Sequence, residues 1–473
     1  MTASAARPRV VVVGGGIAGL SAAAEAARLR PDASVVVLEA ADRVGGKLRG
    51  SEVGGVLVDE GADSMLARTP DAVDLARAVG LGERLVAPRT AAAGVVVRGA
   101  VRPLPAGTVL GVPADAWALA RSGVLDRAAL ARVLLEPALP GRPVEHDVAV
   151  GALVGRRLGR QVVERLVDPL LGGVYAGSAD HLSLRATVPQ LAAAAAGHRS
   201  LLRAAREARP AAAPAGPVFA GLVGGLGALP DAVAAASGVD VRVRTTVREL
   251  HRTATGWRLV TGSAADPAAV EADAVVLAVP AAPAARLLRA VAPHAAADLG
   301  GVEYASVAVV TLVLDGPAPG RGSGYLVPAT EGRSTKAVTF TSRKWAHLDA
   351  GPAVVRASLG RAGEAAVLQR PDPDLVDVVV RELADVVGPL PPLLGTRVTR
   401  WGGGLPQYAV GHLDLVARVR AAVEPLLGLA LAGAALDGVG VPACVAGGRR
   451  AAAAALAGLA GADGQRAGAE WSA

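Results

Sequence analysis

Residues 9–39 constrain this chain more than any other stretch. RVVVV (9–13) is a short β-branched run halted by glycines, the mark of a strand buried on both faces of a parallel sheet. GGGIAG (14–19) follows and opens an Ala-rich helix over 17–29; Pro31 and Asp32 stop it, and SVVVL (34–38) makes a second strand. Gly14, Gly16 and Gly19 have the spacing G-x-G-x-x-G, with Ile17 and Ala18 in the helix's first turn. The first glycine permits a tight turn, the second lets a pyrophosphate reach the backbone, and the third lets helix and strand pack closely. Unpaired N–H groups and a partial positive charge at the helix N-terminus face that pyrophosphate. Glu39 ends the second strand, where a carboxylate suits the hydroxyls of an adenosine ribose and repels a 2′-phosphate. The unit reads as a dinucleotide site that disfavours NADP and leaves NAD and FAD open.

The remainder of the chain supplies material for more than one domain. Residues 113–170 have apolar positions three and four apart, as in AALARVLL, and predict helices. Between 192 and 217 the Ala/Pro/Arg-rich sequence REARPAAAPAGP predicts a surface loop or helix end. VRVRTTVREL (241–250) and GWRLV (256–260) predict neighbouring strands, and DAVVLAVPA (273–281) a buried one. ASVAVVTLVL (305–314) and AVTF (337–340) predict further strands. GLALAG (428–433) predicts a strand entering a Gly-rich turn, DGVGVPAC (437–444), with a long helix from about Gly447. The organisation is an α/β nucleotide-binding unit assembled from distant segments.

Composition narrows the partners. The net charge of +7 favours anionic ligands, yet no Lys/Arg block is interleaved with aromatics, which argues against nucleic acid. Only three cations are lysines: Lys47, Lys336 and Lys344. One cysteine, Cys444, rules out an internal disulfide, and the scattered histidines have no metal-ligand spacing. The first strand begins too early to leave room for a secretory signal, and the longest apolar run, Val10 to Ala24, is too short to span a bilayer. The expectation is a cytoplasmic protein without a transmembrane segment.

DRVGGK (42–47) resembles the Arg-x-Gly-Gly-(Arg/Lys) element that follows the ribose acid in flavoproteins of the amine oxidase, phytoene desaturase and porphyrinogen oxidase superfamily. Paired glycines let backbone pass close to a flat ring, and Arg43 and Lys47 are cations suited to phosphates or a reduced flavin. VDEGADSML (58–66), PLLGGVYAGSADHLSLRAT (169–187), FAGLVGGLGALPDAV (219–233), AVVLAVPA (274–281), RWGGGLPQYAVGH (400–412) and LALAGAALDGVGVPACVAGG (429–448) together resemble the FAD-dependent porphyrinogen oxidases of haem synthesis. The likeness runs in order over nearly the whole chain. It is closest to the actinobacterial and Gram-positive coproporphyrinogen III oxidases.

That resemblance implies an α/β fold: a discontinuous Rossmann-like FAD-binding domain of the amine oxidase and p-hydroxybenzoate hydroxylase-like superfamily, a mixed-sheet substrate domain and a helical insert. Residues 1–68, 218–290 and 400–465 would form the first, 69–112 and 291–399 the second, and 113–217 the insert. It implies non-covalent FAD held by Gly14, Gly16, Ile17, Ala18, Gly19, Glu39, Ala40, Arg43, Gly46 and Lys47. Gly61, Ala62, Asp63 and Ser64 lie toward the flavin, Val247 toward the adenine, and Trp401 with Gly440, Val441 and Pro442 toward the isoalloxazine and ribityl.

Arg68, Tyr175, Arg185, Gly324 and Leu326 are the substrate-side candidates, the last two in GSGYLVP (322–328). The aromatic found in some relatives at Ser323 is missing, and Ala443 stands where many have Asp. FTSRKW (340–345) also resembles the bacterial enzymes, although a solvated strand end accounts for it equally well. The implied activity is oxygen-dependent six-electron oxidation of coproporphyrinogen III to coproporphyrin III. Hydride passes to flavin N5, O₂ regenerates the flavin with release of hydrogen peroxide, and transient contact with the next haem-pathway enzyme is implied. The alternatives are protoporphyrinogen IX oxidation, an amine oxidase or carotene desaturase, and an FAD-stabilised porphyrin carrier. Aromatics at 2% of the chain make an aromatic amine cage hard to build.

Overall fold

The computed structural model describes residues 7–209 and 216–469. One sheet has five parallel strands in the order Asp240–Arg242, Ser34–Leu38, Arg9–Val13, Ala274–Leu277 and Leu429–Leu431. Side chains alternate between its faces. Val10 and Val12 join a core with the first helix Ile17–Leu29 and the last helix Val441–Ala469, whereas Val11 and Val13 join one with Leu250, Trp257 and Leu287. The first and last helices touch backbone to backbone at Gly448, where an added Cβ would lie 2.1 Å from the Ala18 carbonyl oxygen.

The second sheet has seven strands, ordered Leu393–Pro406, Tyr304–Leu314, Ala353–Leu359, Thr335–Phe340, Gly324–Leu326, Ala93–Val97 and Ala100–Pro103. All pairs are antiparallel except Gly324–Leu326 beside Ala93–Val97. The helix Asp372–Val387 covers one face through Leu375, Val379 and Leu383. On the opposite face Val95, Val97 and Leu326 meet the helical insert, whose helices between Ala116 and Glu207 pack around Leu153, Leu166, Leu171 and Leu184. Among the described residues no helix is long and apolar enough to cross a membrane.

Several sequence expectations shift. The run 241–250 is not one strand. Arg244 takes φ 53°, so Asp240–Arg242 joins the parallel sheet while Glu249–Arg252 pairs antiparallel with Trp257–Gly262. The last helix begins at Val441 rather than near Gly447; Pro442 sits in its first turn, where a missing N–H leaves no intrahelical bond unmade. The stretch 192–217 holds most of the helix Pro189–Gly197 and all of Leu201–Glu207, and residues 210–215 of that loop reading lie outside the described residues. The strand Leu393–Pro406 runs unbroken through residue 400, where the sequence sets a domain boundary, so Trp401 belongs to the seven-stranded sheet.

Candidate functional site

The loop after the first strand has the geometry that its glycines demand. Gly14 takes φ +106°, and a Cβ on Gly19 would lie 1.9 Å from the Gly14 carbonyl oxygen. A Cβ on Gly16, by contrast, meets nothing within 4 Å: the backbone there is open to an incoming group. The second glycine element lies against it, since Gly45 N–H donates to the Gly15 carbonyl at 2.8 Å and Gly16 bridges Gly45. A Cβ on Gly46 would come within 3.5 Å of the Gly16 Cα. The Glu39 carboxylate accepts from the N–H of Gly15 at 2.6 Å and of Ala41 at 2.8 Å, which fixes it at the lip of the loop. Thr245 N–H donates to the Glu39 carbonyl, and this draws the segment leading to buried Val247 alongside the acid.

The Arg43 guanidinium donates to the Leu48 carbonyl at 3.0 Å and the Val44 carbonyl at 3.2 Å, which braces its own loop. Lys47 is the second cation of this element. Its side chain stays exposed, and desolvation by the surrounding protein holds the ammonium below the usual lysine range. The Lys47 backbone touches the next loop, because a Cβ on Gly61 would lie 2.0 Å from the Lys47 carbonyl oxygen. Trp401 closes that corner from the seven-stranded sheet: Nε1 donates to the Glu60 carbonyl at 3.1 Å, and the ring lies 3.4 Å from the same Gly61 position.

Asp63 was legible as part of this loop, but its partners were not. Lys344 Nζ donates to both carboxylate oxygens at 3.1 Å and to Ser64 Oγ at 3.0 Å; Arg356 stands 3.5 Å from Oδ2 and donates to the Gly61 carbonyl. Burial alone would raise the Asp63 pKa, yet the charges of Lys344 and Arg356, with hydrogen bonds from Lys344 and Ser64, bring it to about 2. The side chain of Asp63 is therefore committed to an ion cluster, and backbone is what Gly61, Ala62 and Ser64 offer a flat ring. Glu60 ties the end of the two-stranded hairpin Gly50–Asp59 to the seven-stranded sheet: it lies 3.1 Å from Arg49 Nε and 3.5 Å from Arg397, and accepts from Thr399 Oγ1.

On the far side, Gly440 lies just before the last helix, with Val441 and Pro442 in its first turn. Cys444 donates to the Gly438 carbonyl, and burial pushes its thiol up to about 12. Two helix N-termini, an open glycine backbone and a carboxylate at a strand end fit an extended dinucleotide such as FAD.

The substrate-side candidates scatter. Arg68 is exposed and lines a cavity of about 620 Å³ with Asp74, Arg77 and Leu85. Gly324 is pinned by strand pairing, for a Cβ would lie 2.0 Å from the Val338 carbonyl oxygen. Leu326, on the face toward the insert, lies 3.5 Å from a Cβ built on Gly173. Tyr175 is buried in the insert's core, 5.5 Å from the Tyr408 ring, and its phenol is raised by burial. Arg185 donates to the Glu145 carbonyl at 2.7 Å, within the insert.

The family model for flavin-containing amine oxidoreductases matches residues 17–456. A Mycobacterium tuberculosis protein named coproporphyrinogen III oxidase is 42% identical over 93% of this chain and 95% of its own. A Bacillus subtilis protein of the same name is 31% identical, over 95% and 98%. A crystal structure from Exiguobacterium sp. 255-15, carrying the provisional name protoporphyrinogen oxidase, superposes with a TM-score of 0.84 at 33% identity, covering 95% of this chain and 98% of that one.

Proposed function

The chain belongs to the flavin-containing amine oxidoreductase family, and from that membership we propose that it is an FAD-dependent coproporphyrinogen III oxidase of haem biosynthesis. The observation that carries the reading is its likeness, along nearly the whole chain, to the M. tuberculosis protein of that name. FAD, when bound, supplies a hydride acceptor at N5 that O₂ restores with formation of hydrogen peroxide, the chemistry belonging to the cofactor.

The residues of this chain position and enclose. Gly14, Gly16 and Gly19 with Ile17 and Ala18 would hold the pyrophosphate, Glu39 and Ala40 the ribose, and the Val247 backbone the adenine. Gly46, Lys47, Gly61, Ala62, Ser64 and Trp401 would border the isoalloxazine, and Gly440, Val441 and Pro442 the ribityl. The buried, protonated Cys444 thiol is no nucleophile, which supports non-covalent attachment. Arg68 is the proposed propionate partner at the larger cavity, and Gly324 and Leu326 face the macrocycle. A cytoplasmic setting belongs to the same proposal, and exposed Trp117, Leu134 and Leu135 on the insert support peripheral contact with a membrane. Transient hand-over of the porphyrin to the next haem-pathway enzyme completes it.

Anaerobic mixing of the FAD-loaded protein with each porphyrinogen tests the reading. Flavin bleaching followed by porphyrin fluorescence on admission of O₂ is expected, with the larger kcat/KM on coproporphyrinogen III. A larger value on protoporphyrinogen IX would overturn the substrate choice. No bleaching with either would indicate a carrier, and bleaching by an amine or polyene alone would indicate a different oxidase.

A further inference from the structure

A second cavity, of about 180 Å³, opens where the seven-stranded sheet meets the insert helix Asp168–Tyr175. Lys336 lines it. The side chain is 7% exposed, and its ammonium makes no hydrogen bond or ion pair with any described residue. A buried lysine without a counter-charge is costly, and such groups are normally paired or neutralised. Arg361 stands beside it, held by the carbonyls of Val327, Arg333 and Thr335 at 3.0–3.2 Å.

Two acids also border the cavity, and neither cancels Lys336. Glu364 is 3.2 Å from Arg361 and 46% exposed at its side chain. Asp168 accepts from the Ala179 N–H at 2.8 Å and makes no ion pair with Lys336. What remains is a narrow pocket with an uncompensated cation, a shape and charge suited to one carboxylate.

The pocket adjoins the proposed macrocycle wall. Val327 and Gly172 line it, and each is the chain neighbour of a residue in the Leu326–Gly173 contact. From the strand of Trp401 to that of Lys336 is three strand spacings, roughly 14 Å, a span that a tetrapyrrole with an extended arm covers. We propose that Lys336, with Arg361, forms a carboxylate subsite that receives one propionate arm of the tetrapyrrole, an assignment that rests on the porphyrinogen reading. Burial brings the Lys336 ammonium to about 7, so an arriving carboxylate draws it to the charged form.

The test separates the subsite from the reaction. Binding of coproporphyrin III and protoporphyrin IX to the FAD-loaded protein is read by fluorescence without turnover, in wild type and in Lys336→Gln and Lys336→Arg. Lys336→Gln is expected to weaken coproporphyrin binding about tenfold, the loss of one charge-assisted hydrogen bond, and to affect protoporphyrin less. Lys336→Arg should recover part of the loss. Sodium propionate, followed by thermal shift, is expected to stabilise wild type and not Lys336→Gln. If propionate protects wild type while Lys336→Gln binds coproporphyrin normally, the pocket takes a free carboxylate and the propionate-arm assignment falls. If propionate acts equally on wild type and Lys336→Gln, or on neither, the subsite itself is overturned, whatever turnover the enzyme shows.

Discussion

Asp63 shows how a short motif can carry a role that its own residues do not reveal. GADS was readable as a flavin-side loop, but the partners Lys344 and Arg356 lie on a short helix and a strand hundreds of residues downstream, where no spacing rule reaches. Lys344 in FTSRKW read as well for a solvated strand end as for a site. Its three bonds to Asp63 and Ser64 decide between them. The Asp63 pKa of about 2 lies below the unfolded value of 3.8, so the native state gains from ionised Asp63 above about pH 4 and loses that gain as pH falls toward 2. Urea titrations from pH 5 to 2.5 should therefore show a steeper acid loss in wild type than in Asp63→Asn. Lys344→Met leaves the carboxylate with Arg356 and the Ser64 hydroxyl and is expected to cost about 2–3 kcal/mol at pH 7, less than a complete orphaning, read from the urea midpoint. Lys336 has the opposite sign. Its folded pKa of about 7 lies below 10.5, the unfolded state holds more protons between them, and stability should climb with pH across that interval. Arg361, Glu364 and Asp168 border the same cavity. In Lys336→Met the climb should vanish; an unchanged slope would show that the ammonium is solvated.

Strand and helix boundaries were less readable than their existence. The first strand–helix–strand unit was readable because β-branched runs, glycines and a stop at Pro31 all agree. VRVRTTVREL alternates as one strand would, yet tertiary pairing splits it: Arg242 and Thr245 bond to the backbone of Glu39, and the chain must turn at Arg244 to do so. The last helix starts six residues early because proline is excluded from a helix interior but tolerated in a first turn, where Pro442 sits. Its packing on the first helix yields a prediction at this scale. Gly448→Val must drive a side chain into the Ala18 carbonyl, 2.1 Å from the first added carbon, and separate two helices whose N-termini both face the proposed cofactor. Overpacking of this kind typically costs about 1–3 kcal/mol. The variant should also release FAD more readily, measured by flavin fluorescence on dilution; equal retention would mean that the two N-termini are positioned independently of that contact.

At the scale of the molecule, the nucleotide-binding sheet is assembled from segments near residues 9, 34, 240, 274 and 429, a discontinuity that the paired strand-turn-helix units at the two ends of the sequence already signalled. What composition could not signal is how firmly the two sheets are joined. The strand through residue 400 reads from sequence as a return to the first unit, whereas its ladder with Tyr304–Leu314 places Trp401 in the second sheet and aims its indole N–H back at Glu60. Together with the Asp63–Lys344–Arg356 cluster and the Glu60 ties to Arg397 and Thr399, this joins the loop after the hairpin Gly50–Asp59, beside the proposed flavin site, to the seven-stranded sheet and the short helix Thr341–Lys344. Cooperative unfolding should follow. Free FAD at a hundred times its dissociation constant stabilises by about 2.7 kcal/mol. If all 473 residues melt as one unit, with an unfolding entropy of roughly 1 kcal/mol per kelvin, Tm should rise about 3 °C. If the nucleotide-binding half melted alone, half the entropy would give a shift of about 5 °C and a second transition indifferent to FAD. Scanning calorimetry at several FAD concentrations distinguishes the cases. The ion cluster predicts the smaller shift in a single transition, and Lys344→Met, by cutting one tie, should move the protein toward the larger shift in two.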